Sequence, residues 1–293
     1  VAIKPVAKVD EDKLGPAIEK LLDEDPTLHY HRDPVLHQEI LEGMGDIHLE
    51  VSIEKLRARF GVNVVTEPAK VPYKETIRSK AKAQGRHKRQ TGGKGQFGDC
   101  WLELEPLERG SGFQFEAKIV GGAIPKNYVP AIEKGVRETM EKGFLAGYQV
   151  VDVKATVYDG SYHEVDSSEM AFKIAGSLAF KAAANQASPL ILEPIMDFEI
   201  DVADDAVGDV MGDLNTRRGQ MLGMEPIAPG KTRVKARIPM ATTSRYALDL
   251  RSLTKGRGRF RQSFAYYQEM PANEAQALIA EYEKNRTSGD DDH

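Results

Sequence analysis

The sequence predicts an α+β chain in which two βαββαβ units flank a different α+β segment. Residues 1–68 alternate strand-like and helix-like patterns in the order strand, helix, strand, strand, helix, strand, which is the order of the ferredoxin-like split pair. The same order returns after Glu193 without obvious sequence identity, which indicates an internal structural repeat. The residues between them follow another order. We therefore expect three domains, at 1–75, 76–193 and 194–293.

The first unit is defined by two helical patterns that lie between strand-like runs. Asp10 and Asp46 are candidate N-caps of these helices, because a carboxylate at this position accepts unpaired N–H groups of the first turn. Apolar residues recur at helical spacing at Leu14, Ile18, Leu21 and Leu22, and again at Ile47, Val51, Leu56 and Phe60. The predicted strands are Val1–Val9, Leu28–Arg32, Val35–Leu41 and Val62–Thr66.

The middle segment combines four strand-like runs with two longer helical patterns. We predict strands at Ile77–Ala83, Cys100–Pro106, Phe113–Ile119 and Val150–Tyr158, and helices at Pro125–Lys142 and Ser168–Gln186. Pro125 suits the first turn of a helix, and Asp166 with Glu169 forms a partial capping box. The predicted inward-facing residues are Val129, Ile132, Val136 and Met140 in the first helix, and Met170, Phe172, Ile174, Leu178 and Phe180 in the second.

The last unit repeats the order of the first. Its predicted strands are Met196–Val202, Gly219–Glu225, Thr232–Pro239 and Gly258–Tyr267, and its predicted helices are Asp205–Thr216 and Ser244–Thr254. A Pro-Gly pair at 229–230 predicts the turn between the second and third strands. A further helix is predicted at Asn273–Asn285, and the aspartate-rich end from Ser288 to His293 is predicted to be a disordered tail.

Residues 86–98 are basic and rich in glycine, and they are the first candidate for a functional site. The charged, amide and aromatic side chains of this run that could contact a ligand are Arg86, Lys88, Arg89, Gln90, Lys94, Gln96 and Phe97. Glycine lets backbone N–H groups come close to a partner, and such groups together with cations bind phosphate oxygens. The glutamines and the phenylalanine can bond to or stack on a nucleobase. The run predicts RNA contact, and a flexible basic hairpin tip without a ligand is the alternative.

The same run is not a nucleotide-hydrolysing loop. A P-loop requires a serine or threonine after its Gly-Lys pair to hold Mg²⁺, whereas Gly93-Lys94 is followed by Gly95. No other stretch of the sequence fits the pattern either. We therefore expect neither a nucleoside triphosphate nor Mg²⁺ to be bound by this chain.

Residues 159–166 contain an exposed-looking pair, Tyr162-His163, within a short turn. His163 together with Glu164 and Asp166 has the residue types of an acid–base site. No nucleophile or set of metal ligands accompanies them, so a recognition loop is the favoured interpretation and a stand-alone enzyme the alternative. The other histidine group is His29, His31 and His37. These are interpreted as solvated strand residues, because a zinc site requires about four well-placed ligands.

Composition indicates a soluble protein of a reducing compartment. Net charge is −5 over 293 residues, which argues against a uniformly basic nucleic-acid binder, although the charge is patchy. The single cysteine, Cys100, cannot form an internal disulfide and is expected to pack in a core. We find no run long enough to cross a membrane and no signal peptide. These observations predict a cytoplasmic location.

Five stretches of the sequence share their pattern with one family. They are GMGDIHLE from Gly43, TGGKGQFG from Thr91, YDGSYHEVDSSEMAFKIA from Tyr158, GDLNTRRG from Gly212 and LRS from Leu250. All five resemble motifs of the C-terminal three domains of bacterial translation elongation factor G. The first resembles that family's G-M-G-E-L-H-L-[ED], and the second resembles its [ST]-G-G-x-G-Q-[YF]-G. The resemblance covers essentially the whole chain up to the acidic tail.

The resemblance implies a function that the residues alone did not specify. The middle segment would be an elongated arm with a fold like domain 2 of ribosomal protein S5, entering the small-subunit decoding site behind the moving transfer RNA. The implied RNA-binding residues of its tip are Gln90, Thr91, Gly92, Gly93, Lys94, Gly95, Gln96, Tyr162 and His163. In the last domain, the implied ribosome-binding residues are Arg217, Arg218 and Arg251. The implied partners are ribosomal RNA and proteins, transfer RNA and messenger RNA, with the chain acting as a monomer.

Two departures from the family pattern leave alternatives open. The family's GTPase domain and the following β-barrel are not in this sequence, so the chain resembles a fragment or one product of a split protein. It would not be an enzyme itself, and GTP and Mg²⁺ would belong to the GTPase domain of an intact factor. Residues 240–246 read MATTSRY where the family has a pattern close to L-[AS]-E-M-F-G-Y. This difference favours, as a second interpretation, a paralogue that acts in ribosome recycling, protection or stress. A free RNA-binding module is a further alternative.

Overall fold

A computed structural model describes residues 1–33, 36, 38–90 and 95–290 of the chain. The fold is α+β, as predicted. Two compact units are present: Val1–Pro72 with Pro194–Tyr266, and Tyr73–Glu193 with the residues from Tyr267 onwards. The predicted division into three domains stays a prediction. No helix in these described residues is long and apolar enough to cross a membrane.

The N-terminal part of the first unit has the predicted ferredoxin-like topology. Its elements are β1 (Ala2–Pro5), α1 (Lys8–Glu24), β2 (His29–Asp33), β3 (Gln38–Glu42), α2 (Asp46–Phe60) and β4 (Val64–Glu67). The strand order is β2-β3-β1-β4, with antiparallel neighbours. Leucines of both helices and Ile3 of β1 form one buried core. The apolar periodicity therefore predicted this topology correctly.

The ends and faces of these helices differ from the prediction. The predicted strand Val1–Val9 is too long, because α1 begins at Lys8 and Asp10 lies in its first turn rather than at the N-cap. The Asp10 carboxylate instead accepts the backbone N–H of Asn63 at 3.1 Å. Ile47 and Val51, predicted to face the core, are 61% and 49% exposed. Leu49, Ser52 and Leu56 form the buried stripe of α2 instead.

The middle part of the chain forms a four-stranded sheet covered by two helices. After β5 (Lys74–Ile77), the elements are β6 (Ala81–Arg89), β7 (Gln96–Pro106), β8 (Phe113–Ala117), α3 (Val129–Lys142), β9 (Val153–Ser161) and α4 (Glu169–Gln186). The strand order is β6-β7-β9-β8, and the parallel pair β8–β9 is connected through α3. The inward side chains of the sheet share one core with both helices.

The predicted strand Ile77–Ala83 is wrong, because it spans two strands in different sheets. β5 ends at Ile77 and pairs with the start of β10 (Pro189–Ala203), whereas β6 begins at Ala81 and pairs with β7. Between them, the backbone N–H of Arg78 and that of Ser79 bond to the carbonyl of Ala187 at 3.1 and 3.0 Å. Such a contact with a distant segment leaves no trace in local periodicity.

Both helices of the middle part begin differently from the prediction. Pro125 precedes a short 3-10 turn, and α3 starts only at Val129. The N-cap of α4 is Ser168, whose hydroxyl accepts the N–H of Ala171 at 3.2 Å, and not Asp166. Met170 and Leu178 are exposed. The buried face of α4 consists mainly of small residues: Ala171, Phe172, Ala175, Gly176, Ala179, Phe180, Ala183 and Ala184.

The last part repeats the ferredoxin-like topology. β10 is followed by α5 (Val207–Thr216), β11 (Gln220–Ala228), β12 (Lys231–Pro239), α6 (Tyr246–Leu253) and β13 (Arg259–Glu269). The strand order is β11-β12-β10-β13, which matches the order of the first sheet. α7 (Ala272–Asp290) then extends through Ser288–Asp290. The predicted disordered tail is therefore wrong for these three residues, and 291–293 lie outside the described residues.

Cys100 is fully buried in the core of the middle part. Burial, with a smaller contribution from Asp99, raises the pKa of its thiol to about 12. We expect no reaction with a thiol reagent at pH 8 in the native protein and complete reaction in denaturant, since the thiolate is the reactive form. Labelling followed by mass spectrometry measures this directly. Fast labelling of a protein with an unchanged circular dichroism spectrum would contradict the burial.

Candidate nucleic-acid interface

The basic run at 86–98 is mostly strand rather than loop. β6 and β7 pair without interruption from Ala81↔Leu104 to Arg89↔Gln96. The basic residues Arg86, Lys88 and Arg89 therefore lie at the C-terminal end of β6. Gln90 is exposed just beyond it. The predicted contact residues Thr91, Gly92, Gly93 and Lys94 lie outside the described residues.

The turn with His163 follows directly from the end of β9. The Ser167 hydroxyl accepts the His163 backbone N–H at 2.9 Å, and the Ser167 N–H donates to the His163 carbonyl at 3.0 Å. The ring nitrogen Nδ1 of His163 accepts the Asp166 N–H at 3.3 Å. The side chain is nevertheless 58% exposed. Tyr162 beside it is 45% exposed. Hydrogen bonds within the loop, from both backbone and side chains, thus hold its backbone while two side chains face solvent.

Asp166 joins the hairpin to this loop. Its carboxylate accepts the Gly95 N–H at 3.1 Å, and its carbonyl accepts the Phe97 N–H at 2.8 Å. A Cβ on Gly95 would lie 2.9 Å from the Asp166 carboxylate carbon, so a larger residue here would force the Asp166 side chain to shift. The rings of Phe97 and His163 are 6.4 Å apart. Two segments 71 positions apart therefore form one tip at the end of the sheet.

Positive charge increases along β6 towards this tip. At the far end of β6, Lys82 lies 3.2 Å from Glu103, and Lys80 forms an ion pair with Glu105. No carboxylate in the described part of the chain pairs with Arg86, Lys88 or Arg89. The two oxygens of Asp99, which lies opposite Arg86, already accept from Gln84 and Ser161 at 2.7 and 2.6 Å. The cations nearest the tip therefore remain available to an external anion.

The surroundings of the His163 ring bear on the enzyme alternative. The contacts of its ring are backbone N–H groups and the Asp166 carboxylate, 3.6 Å away. The neighbouring hydroxyl of Ser161 donates to Asp99, and that of Ser167 accepts the His163 backbone N–H. Among the described residues, no cluster of three or more histidine, cysteine or acidic side chains has the geometry to hold a metal ion.

The predicted residues of the last domain differ in their surroundings. Arg217 is only 14% exposed, and its guanidinium lies over the Tyr246 ring. It donates to Asp213 at 2.8 Å, to Asp249 at 2.5 Å and to the Thr242 carbonyl at 2.5 Å. Arg218 follows in a left-handed conformation with φ of 60°, and Arg251 is exposed on α6. Arg217 therefore links α5, α6 and the 3-10 turn at Met240–Thr242.

Sequence reasoning missed the roles of Asp166 and Arg217. The sequence predicts Asp166 as part of a helix cap and Arg217 as a contact to a partner. Their observed roles depend on segments that meet only in the folded chain, such as Gly95 with Asp166. For Arg217, the acidic residue four positions earlier, Asp213, was a signal of an ion pair on a helix.

Three family models cover nearly the whole chain. Residues 1–68 match elongation factor G, domain III, residues 69–188 match elongation factor G, domain IV, and residues 190–278 match the elongation factor G C-terminus. A crystal structure of a protein from Thermus thermophilus is 45% identical in sequence and has a TM-score of 0.83. That alignment covers 97% of this chain and 42% of the other chain. The chain thus spans less than half the length of this relative.

Proposed function

Because the chain belongs to the elongation factor G family, whose domains III and IV and C-terminus it contains, we propose that it is the ribosome-binding part of a translocation factor. In this proposal it helps to move transfer RNA and messenger RNA through the ribosome in a GTP-dependent step, in the cytoplasm. GTP and Mg²⁺ would be held by the GTPase domain of the intact factor. The joining of the Gly95 hairpin end to the His163 loop through Asp166 is the observation that carries the proposal.

The tip would act by binding and not by making or breaking a bond. The Nδ1 atom of His163 already accepts backbone N–H groups, so its other ring nitrogen is the one that faces a partner. Gln90 is exposed just beyond the end of β6. Such groups bond to ribose and base edges, while Arg86 and Lys88 attract the phosphates.

Directional movement follows if these contacts differ between two ribosomal states. A ligand shifts an equilibrium only by its difference in affinity for the two states. The tip would therefore bind the state after movement more tightly than the state before it. The ordered backbone around His163 supports this role, since a preformed loop loses little entropy on binding.

We expect the triple variant Gln90→Ala, Gln96→Ala and His163→Ala of the intact factor to translocate at least about tenfold more slowly, because two or more hydrogen bonds to RNA are lost. Rapid mixing with pre-translocation ribosomes measures the rate. GTP hydrolysis should be unchanged, since these residues are not part of a nucleotide site. An unchanged translocation rate in the triple variant would overturn this role of the tip.

The isolated chain provides a second measurement with a matched control. We expect it to sediment with vacant and pre-translocation ribosomes at low salt, and His163→Ala to weaken this binding. His29→Ala is the control, because His29 is an exposed histidine of β2. Equal loss in both variants would point to a general effect of removing a histidine. No binding of the chain alone, with binding restored by the GTPase half, would assign docking to the intact factor.

The second candidate function is a paralogue role in ribosome recycling, protection or stress. The observation that favours it is the MATTSRY segment, in which Met240–Thr242 forms a 3-10 turn. The Thr242 carbonyl accepts the Arg217 guanidinium at 2.5 Å, so this segment contacts the residue that precedes Arg218. Subunit splitting without translocation by the intact factor would select this function.

A further inference from the structure

The sheet β6-β7-β9-β8 has one face that neither helix covers. Side chains alternate along a strand, and the inward set, including Ala83, Leu102 and Val157, is buried against α3 and α4. The alternate positions of β6 are Lys82, Gln84, Arg86 and Lys88, and all four are exposed. The neighbouring strands place Trp101 and Tyr158 on the same open face, where both rings are partly exposed.

Aromatic rings, cations and carboxylates share this face, where Glu103 lies opposite Lys82 and Asp159 lies opposite Trp101. The rings of Trp101 and Tyr158 lie 6.4 Å apart. The Lys82 ammonium is 5.0 Å from the Tyr158 ring centre, and the Arg86 guanidinium is 5.5 Å from that of Phe97. An open sheet face with aromatic rings stacks unpaired bases, because every base has an apolar face of similar size. The cations beside the rings would then lie near the phosphates.

We propose that this open face is a second RNA-binding surface, on which single-stranded bases stack on Trp101 and Tyr158 while Arg86 and Lys88 contact phosphates. The inference deepens the proposed function, since it rests on RNA being bound by the same domain, but it concerns a different set of side chains from the tip. The absence of carboxylate partners for Arg86 and Lys88 among the described residues favours a polyanion over a protein surface.

The test uses the full chain and an unstructured oligouridylate of about 12 nucleotides, within the length that one such surface occupies. Trp101 is the only tryptophan of the chain, so its fluorescence reports directly on the proposed surface. We expect the Trp101 fluorescence to be quenched when the RNA is added at low salt, and weaker binding of an RNA duplex of the same length, whose bases are not free to stack.

Trp101→Leu and Tyr158→Leu should each weaken binding about tenfold, as measured by anisotropy of labelled RNA. Trp101→Phe should retain most of the affinity, because it keeps an aromatic ring.

The charge contribution has its own matched control. Arg86→Gln with Lys88→Gln should lower the slope of log affinity against log salt by about 1.4, the value for two phosphate contacts to a single strand. Lys13→Gln with Lys181→Gln removes the same charge from exposed helical positions and should leave the slope unchanged. Thermal melts of all variants identify any that are unfolded.

The outcomes that overturn the open face as an RNA surface differ from those that overturn the proposed function. Binding that is unaffected by Trp101→Leu and Tyr158→Leu, or no binding to oligouridylate at low salt, overturns the open face as an RNA surface. Neither outcome affects docking through His163, which is measured by sedimentation with ribosomes. A change in Trp101 fluorescence on adding RNA-free ribosomal proteins, with none on adding oligouridylate, would assign the face to a protein partner and also overturn the proposal.

Discussion

The Glu75→Ala variant should lose about 3–5 kcal/mol of unfolding free energy, because several buried N–H groups would lose their acceptor together. Glu75 lies on β5 and is completely buried. Its carboxylate accepts four backbone N–H groups, those of Phe144, Leu145, Ala146 and Tyr148, at distances of 2.7 to 3.0 Å. The turn after α3 therefore closes around a single side chain, and such a loss approaches the whole stability of a small domain.

Urea unfolding followed by Trp101 fluorescence measures this loss, since Trp101 belongs to the same unit. The labelling rate of the buried Cys100 thiol gives an independent measure of opening. Glu141→Ala is the control, because Glu141 is exposed on α3 and a surface change of this kind alters stability by about 0.5 kcal/mol or less. Glu75→Gln should fall between the two, since an amide keeps only one acceptor oxygen. A loss below about 1 kcal/mol in Glu75→Ala would show that water replaces the carboxylate in this turn.

The role of Glu75 shows where sequence reasoning stops. The two ferredoxin-like topologies follow from local information, because apolar periods of two and 3.6 residues define strands and helices within short windows. Glu75 lies outside every element that the sequence predicts, and only the folded chain brings the turn at 144–148 around it. The same applies to the predicted strand Ile77–Ala83, whose division into β5 and β6 depends on the pairing of β5 with the distant strand β10.

The residues of the candidate interface could be predicted from the sequence, but their arrangement in space could not. A glycine-rich basic run and family motifs identify Gln90, Gln96 and His163. The 2.9 Å hydrogen bond between Gln96 and His87, and the binding of Asp166 to both Gly95 and Phe97, depend on hairpin register and on a turn in another part of the sequence. The open face with Trp101 and Tyr158 was not predicted either. The alternation of side chains along β6 and β7 was the signal for this face. That signal could be interpreted only once the neighbouring strands were known.

The second large effect is expected at the glycines beneath α4. A Cβ on Gly85 of β6 would lie 2.0 Å from the Ala175 carbonyl oxygen and 2.3 Å from the Ala179 nitrogen. A Cβ on Gly98 of β7 would lie 2.4 Å from the Ala171 carbonyl oxygen. These are backbone atoms of α4, so no side-chain rotation can relieve the contact. Gly85→Ala is therefore expected to destabilise the middle part by about 3 kcal/mol, the upper range for an overpacked core.

Gly98→Ala should combine a similar destabilisation with a specific change at the tip. Ala171 lies in the first turn of α4, close after its N-cap Ser168, so a shift of this turn also displaces Asp166 from Gly95 and Phe97. We therefore expect Gly98→Ala to weaken ribosome binding more than Gly85→Ala does, even if the two variants are equally stable. Sedimentation measures the binding, and urea unfolding measures the stability. Gly208→Ala is the control, because Gly208 lies in open space on α5 and alanine there should stabilise the helix by about 0.5–1 kcal/mol. If Gly98→Ala unfolded at lower urea but bound ribosomes as tightly as the unchanged chain, the close packing of α4 would stabilise the middle part without positioning its tip.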